Sequence, residues 1–507
     1  MKNKVFILLL SLLCVSAYAQ SKLPVFVTDS LDTYVNRAMK QWQIPGVAVG
    51  IVKDGKAVLL KGYGVREAGK PEKVDVNTLF MIGSNTKAFT ATALAILDAE
   101  KKLSLNDPVQ KWLPDFKLYD PWVAKEAMIA DLLCHRLGFE TFQGDFMFFD
   151  SDLNTQEMME RFGKLKPMYG FRTKWGYTNA AFMVAGQIFP KATGKTWGDY
   201  LAEGIFKPLG MNSTLALSSA IASASNKAAA HTSMGGPLRK IAYGQLDALS
   251  PAGSISSSVS DMSRWVMALL DTGKLDGKRV MPAEAILETR VPRTIMGNGW
   301  HMFNKKLFEL YGLGWDIHDY EGRKFVGHTG GVNGFVTSVA MIPEERLGII
   351  VLTNTDSNGF FEALRNEIQD AFLGLPYRNY DGIYYKHTTA RTAREELLIK
   401  QQRDTIATKP RTDLPLPAFA GTYKHELYGN MTMTLEGNKL VARFEHHKGR
   451  FANVEALGKN RFLATFNEAL YGTKVWPFTI EGGKVKSVKV TVSDFVEFTP
   501  YEFVKVK

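Results

Sequence analysis

Ser84 and Lys87 stand three residues apart within Phe80–Leu97, a stretch reading FMIGSNTKAFTATALAIL that holds no other charge. Residues three apart share one face of a helix, so the hydroxyl and the amine can touch. The stretch is apolar on nearly every side, which predicts a helix buried in a core. Burial penalises an ammonium, so a lysine there tends towards its neutral form or takes a partner. A neutral amine beside a hydroxyl is a general base beside a nucleophile. Two plainer readings compete. S-x-x-K strings arise by chance and mostly lie on solvated helices, and an apolar run of this length can cross a membrane. Ser84, Asn85, Thr86, Lys87, Thr90 and Thr92 make it too polar for the membrane. Chance is answered only by company elsewhere in the chain.

Two further segments supply that company. Tyr177-Thr178-Asn179 follows Lys174-Trp175-Gly176 and precedes an apolar helical run. A phenol near a cation has its phenolate favoured, so Tyr177 could exchange protons with a leaving group. Asn179 could hydrogen-bond a substrate amide. Gly327-His328-Thr329-Gly330-Gly331 reads as a glycine-rich turn immediately before a strand at Phe335–Ile342. Such glycines let a substrate lie against the backbone and expose N–H donors, while His328 could bind a carboxylate or polarise the site. Singly, a tyrosine packed under a loop and a structural histidine are the commoner outcomes. Together the three elements are far less expected by chance.

The elements that must position these groups are legible in outline. Val47–Val52 and Ala57–Leu60 flank Asp54-Gly55, a strong hairpin signal. Helical patterns dominate from Ser84 to about Leu270; strands return at Phe335–Ile342 and 347–352, and 360–373 reads as helix. This predicts an α/β domain, one sheet completed late in the chain and flanked by helices. Residues 376–412 read as a linker with a short polar helix near Arg391–Arg403. From about Leu414 the pattern is β, with alternation at Met431–Leu435 and turns at Glu436-Gly437-Asn438 and Glu481-Gly482-Gly483. That predicts a small antiparallel barrel or sandwich. The expected division is 1–19, 22–375, 376–412 and 413–507.

Composition narrows the rest. The 507 residues exceed one ordinary core, and the charged and apolar fractions, 22% and 45%, are those of a soluble globular chain. Lys2 and Lys4, the apolar run Val5–Val15 and Ala17-Tyr18-Ala19 read as a secretory leader cut before Gln20, which predicts a periplasmic or secreted protein. Loss of Lys2 and Lys4 takes the 62 basic residues to 60 against 51 acidic ones. The charges are scattered, so nucleic acid is a poor guess as a partner. Cys134 would be the one cysteine left, which rules out an intrachain disulfide. No metal-ligand spacing or phosphate-binding glycine loop is present, His446-His447 reads as a solvated turn, and no cofactor is expected. The chemistry falls to side chains alone.

Ser84-x-x-Lys87, Tyr177-x-Asn179 and His328-Thr329-Gly330, in this order, resemble the three active-site motifs of the penicillin-binding protein and serine β-lactamase superfamily. The tyrosine form of the second motif resembles the class C type, shared with D-Ala-D-Ala carboxypeptidases, D-aminopeptidases and certain esterases. Leu103–Pro108, Asp131–Arg136, Pro208–Met211 and Ser258–Met262 are similar too, and the likeness covers about residues 25–375. The last segment resembles the lipocalin-like domain often appended to these hydrolases.

The resemblance implies Ser84 as the acylated nucleophile, Lys87 as its base and Tyr177 as a proton shuttle. It implies that Asn179 orients the substrate amide, that the N–H groups of Ser84 and Gly331 form an oxyanion hole, and that Thr329 and Gly330 line the substrate. His135 and Asp261 fall to structure. The third motif of β-lactamases usually begins with lysine, a permanent cation for the drug's carboxylate; His328 is mostly neutral at pH 7. That shifts the expectation towards small amides or peptides, D-residues among them. The alternatives are a carboxylesterase, a class C-like β-lactamase and a sensor that binds cell-wall fragments without turnover. The partner expected is a small molecule or short peptide.

Overall fold

The computed structural model describes residues 23–506, so the expected leader and Cys14 lie outside the described residues. Strands β1 (Gly46–Lys53) and β2 (Lys56–Gly64) form the expected hairpin. Its turn residues Asp54 and Gly55 both have positive φ, 53° and 77°, as a two-residue turn matched to strand twist requires. Six strands from late in the chain complete the sheet: β3 (Thr294–Asn298), β4 (Phe308–Tyr311), β5 (Asp316–Tyr320), β6 (Arg323–Val332), β7 (Phe335–Ile342) and β8 (Leu347–Thr353). The order is β2-β1-β8-β7-β6-β5-β4-β3, antiparallel throughout.

Alternation along β1 separates two helical layers. Val47, Val49 and Ile51 pack with Leu31 and Val35 of α1 (Leu31–Trp42), and with Phe360 and Leu364 of α5 (Phe360–Phe372). Ala48 and Val52 face the opposite layer. That layer holds α2 (Thr86–Ala99), α3 (Asn179–Gly186) and α4 (Val259–Leu270). Every residue of α2 from Thr86 to Leu97 is buried, and Phe89 stacks on Trp265 of α4 at 4.2 Å between ring centroids.

Sequence expectations need correction at two places before the barrel. The glycine-rich segment 327–331 is not a turn before a strand; it lies inside β6, paired with β7 from Val326 to Val332. Gly327 and Gly330 are there for close packing: a Cβ at Gly330 would overlap the Ile82 carbonyl oxygen, and one at Gly327 would meet the Phe325 ring. Residues 380–407, within the stretch read as a linker, are one 28-residue helix, α6 (Tyr380–Ala407). Only Tyr380 and Asp381 are buried, so the helix is polar nearly all round and shows no amphipathic stripe for sequence to reveal.

The C-terminal strands close into an eight-stranded barrel. They are β9 (Gly421–His425), β10 (Gly429–Glu436), β11 (Lys439–Phe444), β12 (Phe451–Gly458), β13 (Arg461–Phe466), β14 (Thr473–Glu481), β15 (Lys484–Val490) and β16 (Tyr501–Lys505), with β9 paired to β16. Eight strands leave an interior that side chains can fill. Tyr423, Met433, Phe444, Phe462 and Trp476 are buried there.

The barrel packs against the loop at residues 140–152 of the first domain. Phe146 enters it among Tyr428, Phe444, His447 and Tyr471, with centroid separations of 4.5–5.6 Å. His446 and His447 are therefore not a solvated turn. His447 is buried and stacked on Phe146, with Nε2 2.7 Å from the Phe146 carbonyl oxygen. The Nδ1 atom of His446 lies 3.0 Å from Asp152 Oδ1. Glu497, between β15 and β16, is fully enclosed at the same junction.

Candidate active site

Ser84 sits in a single 3₁₀ turn, Gly83–Asn85, that runs straight into α2, and Lys87 occupies the first turn of that helix. The Lys87 side chain has no solvent exposure. Its Nζ lies 2.7 Å from Asn179 Oδ1, 2.8 Å from the Ala252 carbonyl oxygen and 3.1 Å from Ser84 Oγ. A neutral amine has two N–H donors and one lone pair. The two donors match the two carbonyl-type oxygens, and the lone pair is left for the Ser84 hydroxyl proton. Burial lowers the Lys87 pKa to about 7, with Asp145 pulling it the other way, so the free base is accessible near neutrality.

Asn179 opens α3, and its own orientation is fixed from behind. Its Nδ2 donates to Asp145 Oδ2 at 2.6 Å, which turns the amide oxygen towards Lys87. Asp145 is fully buried, and its second oxygen, Oδ1, has no partner. Burial pushes this carboxyl well above the ordinary aspartate range, against the pull of Asn179 and Lys87.

The Tyr177 ring lies 4.6 Å from Lys87 Nζ, and its hydroxyl is close enough to Ser84 for the serine to lower its pKa. The cation expected to favour its phenolate does not: Lys174 lies over Tyr169 instead, 4.2 Å from that ring. Burial raises the Tyr177 pKa far more than the Ser84 contact lowers it, so Tyr177 is a neutral phenol at rest. His135 stacks behind it at 4.2 Å and accepts from the Thr178 N–H at 3.0 Å. Asp261 accepts from Ser213 N and Thr214 Oγ1, both at 2.9 Å, away from these groups.

Strand β6 supplies the remaining wall. Val332 and Phe335 close its two-residue turn, so Gly331 takes a non-hydrogen-bonded position opposite Val336. Its N–H therefore points away from β7. A Cβ on Gly83 would lie 2.8 Å from Gly331 N, which places that N–H beside the turn carrying Ser84. Both ring nitrogens of His328 are engaged, Nε2 with the Tyr311 hydroxyl at 3.0 Å and Nδ1 with the Thr329 carbonyl oxygen at 2.5 Å. Burial drives His328 down to about 3, so it is neutral and offers no cation. Thr329 and Gly330 follow along β6, paired with Ser338 and Thr337.

The barrel contributes to the rim. The Phe495 ring would meet a Cβ on Gly331 at 3.7 Å, and Phe498 stacks on Phe142, which in turn meets Tyr177 edge-on at 5.5 Å. Among the described residues, no group of three His, Cys, Asp or Glu side chains is gathered as a metal would require. No helix there is long and apolar enough to cross a membrane.

The structure thus brings Ser84, Lys87, Tyr177, Asn179 and the Gly330–Gly331 backbone together, and turns His328 inward. Sequence reasoning missed Asp145, the Ala252 carbonyl, Tyr311 and the barrel's aromatic residues. A backbone oxygen carries no residue signature, and Gly144-Asp145-Phe146 resembles any loop.

With this geometry, the chain belongs to the beta-lactamase family, whose model matches residues 31–372. A second model, a domain of unknown function (DUF3471), matches residues 407–505. The chain is 28% identical over 470 residues to an unguisins hydrolase of Aspergillus violaceofuscus, covering 84% of this chain and 82% of that one. Among solved structures it is similar to an octameric penicillin-binding protein homologue from Pyrococcus abyssi, with TM-score 0.62 and 20% identity over 94% of this chain and 99% of that one. It is also similar to a D-stereospecific amidohydrolase from Streptomyces sp., with TM-score 0.54 and 21% identity over 68% and 99%. The Aspergillus relative is named a hydrolase, and the two structures share this chain's fold.

Proposed function

We propose that the protein is an exported serine hydrolase that cleaves small amides or peptides through an acyl-enzyme on Ser84. One observation carries this reading: Lys87 is buried with two acceptors for its two amine protons and Ser84 Oγ at the third position. In the proposed cycle Lys87 takes the Ser84 proton as Oγ attacks the carbonyl carbon. Tyr177, a neutral phenol beside Ser84, donates to the leaving nitrogen and is reprotonated from Lys87. The N–H groups of Ser84 and Gly331 hold the oxyanion, and the positive end of α2 adds to that stabilisation. Water then attacks the acyl group with the same residues in reverse order.

His328 in place of a lysine supports substrates that need no cationic partner for a carboxylate, amides of D-residues among them. The same neutral His328 and the aromatic rim of Phe142, Phe495 and Phe498 favour one second reading, a carboxylesterase on the same machinery. The test is hydrolysis of D-alanyl and L-alanyl p-nitroanilides beside a p-nitrophenyl ester, for wild type and Ser84→Ala. Ser84-dependent cleavage of the D-amide supports the first reading, and ester cleavage alone moves the assignment to the second. Activity that survives Ser84→Ala overturns both. A stable adduct without turnover would instead mark a sensor.

A further inference from the structure

The loop that fixes Asn179 is itself held by the C-terminal barrel. Glu497 Oε1 accepts from the Gly144 N–H at 2.6 Å and from the Tyr501 hydroxyl at 2.6 Å. Its Oε2 accepts from the Phe146 N–H at 2.9 Å and from the Tyr428 hydroxyl at 2.9 Å. The carboxylate thus grips the backbone N–H groups of the two residues that flank Asp145. Asp145 in turn meets Asn179, and Asn179 meets Lys87. Phe146, the next residue, is buried in the barrel between Tyr428 and His447. The chain of contacts runs from the barrel to the amine beside Ser84 without a gap.

Resting on the function proposed above, we infer that Glu497 and Asp145 are positioning residues for the reaction. The barrel completes the active site by holding Asp145 where it locks the Asn179 amide towards Lys87. Without Asp145 the two ends of the Asn179 amide lose their distinction, and Lys87 loses the acceptor that points its lone pair at Ser84. The unpartnered Asp145 Oδ1 fits this role. A carboxylate kept in apolar surroundings with one oxygen unsatisfied is costly, and its other oxygen serves only Asn179.

The groups facing Lys87 are Ser84, Asn179, Tyr177 and the Asp145 carboxyl, with the neutral His135 and His328 close enough to feel the charge of its ammonium form. Asp145 feels Lys87 and Glu497, and Glu497 faces Tyr428 and Tyr501. Asp145 favours the protonated amine. Its removal therefore lowers the Lys87 pKa and moves the ascending limb of the acylation rate to lower pH.

The experiment uses the full chain with Glu497→Gln, Asp145→Ala and the double variant, each checked for folding by circular dichroism and thermal melting. A glutamine keeps the size of Glu497 but faces one backbone N–H with a second donor. We expect each single variant to lose about 10- to 100-fold in kcat, the penalty of a small misplacement of a catalytic group, with KM changed far less. We expect the acylation limb to move to lower pH in Asp145→Ala, and the double variant to lose no more than Asp145→Ala alone. Wild-type kcat in a folded variant, an unmoved limb in Asp145→Ala, or losses that multiply in the double variant would each overturn the inference. If Glu497→Gln fails to fold, the limb of Asp145→Ala decides alone. Ser84→Ala assayed in parallel separates the two levels: activity surviving there defeats the serine-hydrolase reading itself.

Discussion

Lys87 and Glu497 are both ionisable side chains enclosed in protein, one in the helical layer beneath the sheet and the other where the barrel meets it. Glu497 is surrounded by four donors, two on each oxygen, so every strong acceptor position is used. Lys87 has two acceptors and a hydroxyl, so in its neutral form one lone pair remains unspent. Asp131 belongs with Glu497 in this respect. It is fully buried and held by Arg136 and Arg172. Complete satisfaction fixes a loop in place, whereas incomplete satisfaction leaves a base ready to accept a proton. The lesson is to ask of each buried charge which of its positions is still open.

The contrast can be broken most severely at the open position. Ser84→Ala should lower turnover by on the order of 10⁴-fold or more and abolish covalent labelling, as read by kinetics with intact-protein mass. Lys87→Arg should cost about 10³-fold in acylation, because a guanidinium cannot release its proton to become the base. Near-normal rates in Lys87→Arg would place the base elsewhere. At a saturated position the loss should fall on stability. Asp131→Ala leaves two arginines without their partner and should destabilise the fold by about 3–5 kcal/mol in denaturant titration. In that variant the pH dependence of whatever folded fraction remains should be unchanged.

The smallest effect is expected at His328. Its replacement by lysine should raise the preference for a carboxylate-bearing amide over its neutral analogue by about 10-fold or less, because the position is buried and desolvation offsets most of what an ion pair gains there. Identical preference in matched assays would show that this position does not face the substrate.

The reach of the sequence follows the same line between local and assembled features. Ser84 and Lys87 were legible because a lone charge in an apolar helix announces itself within one turn. Asp54-Gly55 and the alternation at Met431–Leu435 were legible for the same local reason, and the α/β sheet and β barrel followed from them. The four strands from Thr294 to Val332 were not separated, since Gly297, Gly327, Gly330 and Gly331 break their alternation. Gly330 reflects the approach of Ile82, far away in sequence, and no local pattern encodes that. Tyr177 was found, but its protonation state was misjudged. Proximity to Lys174 in sequence suggested a phenolate, while the fold turns Lys174 to Tyr169 and leaves Tyr177 partly buried, with desolvation favouring the neutral phenol. Asp145 and Glu497 gave no signal because each acquires its role only when the barrel docks.

The most direct test is the mass of the intact protein quenched during turnover of an activated ester, followed by peptide mapping, at a series of pH values around 7. The account predicts an acyl adduct confined to the peptide carrying Ser84, formed at a rate that rises with pH through the Lys87 pKa of about 7 as the amine loses its proton. An adduct on another residue, or formation on Ser84 that is indifferent to pH across this range, would contradict it.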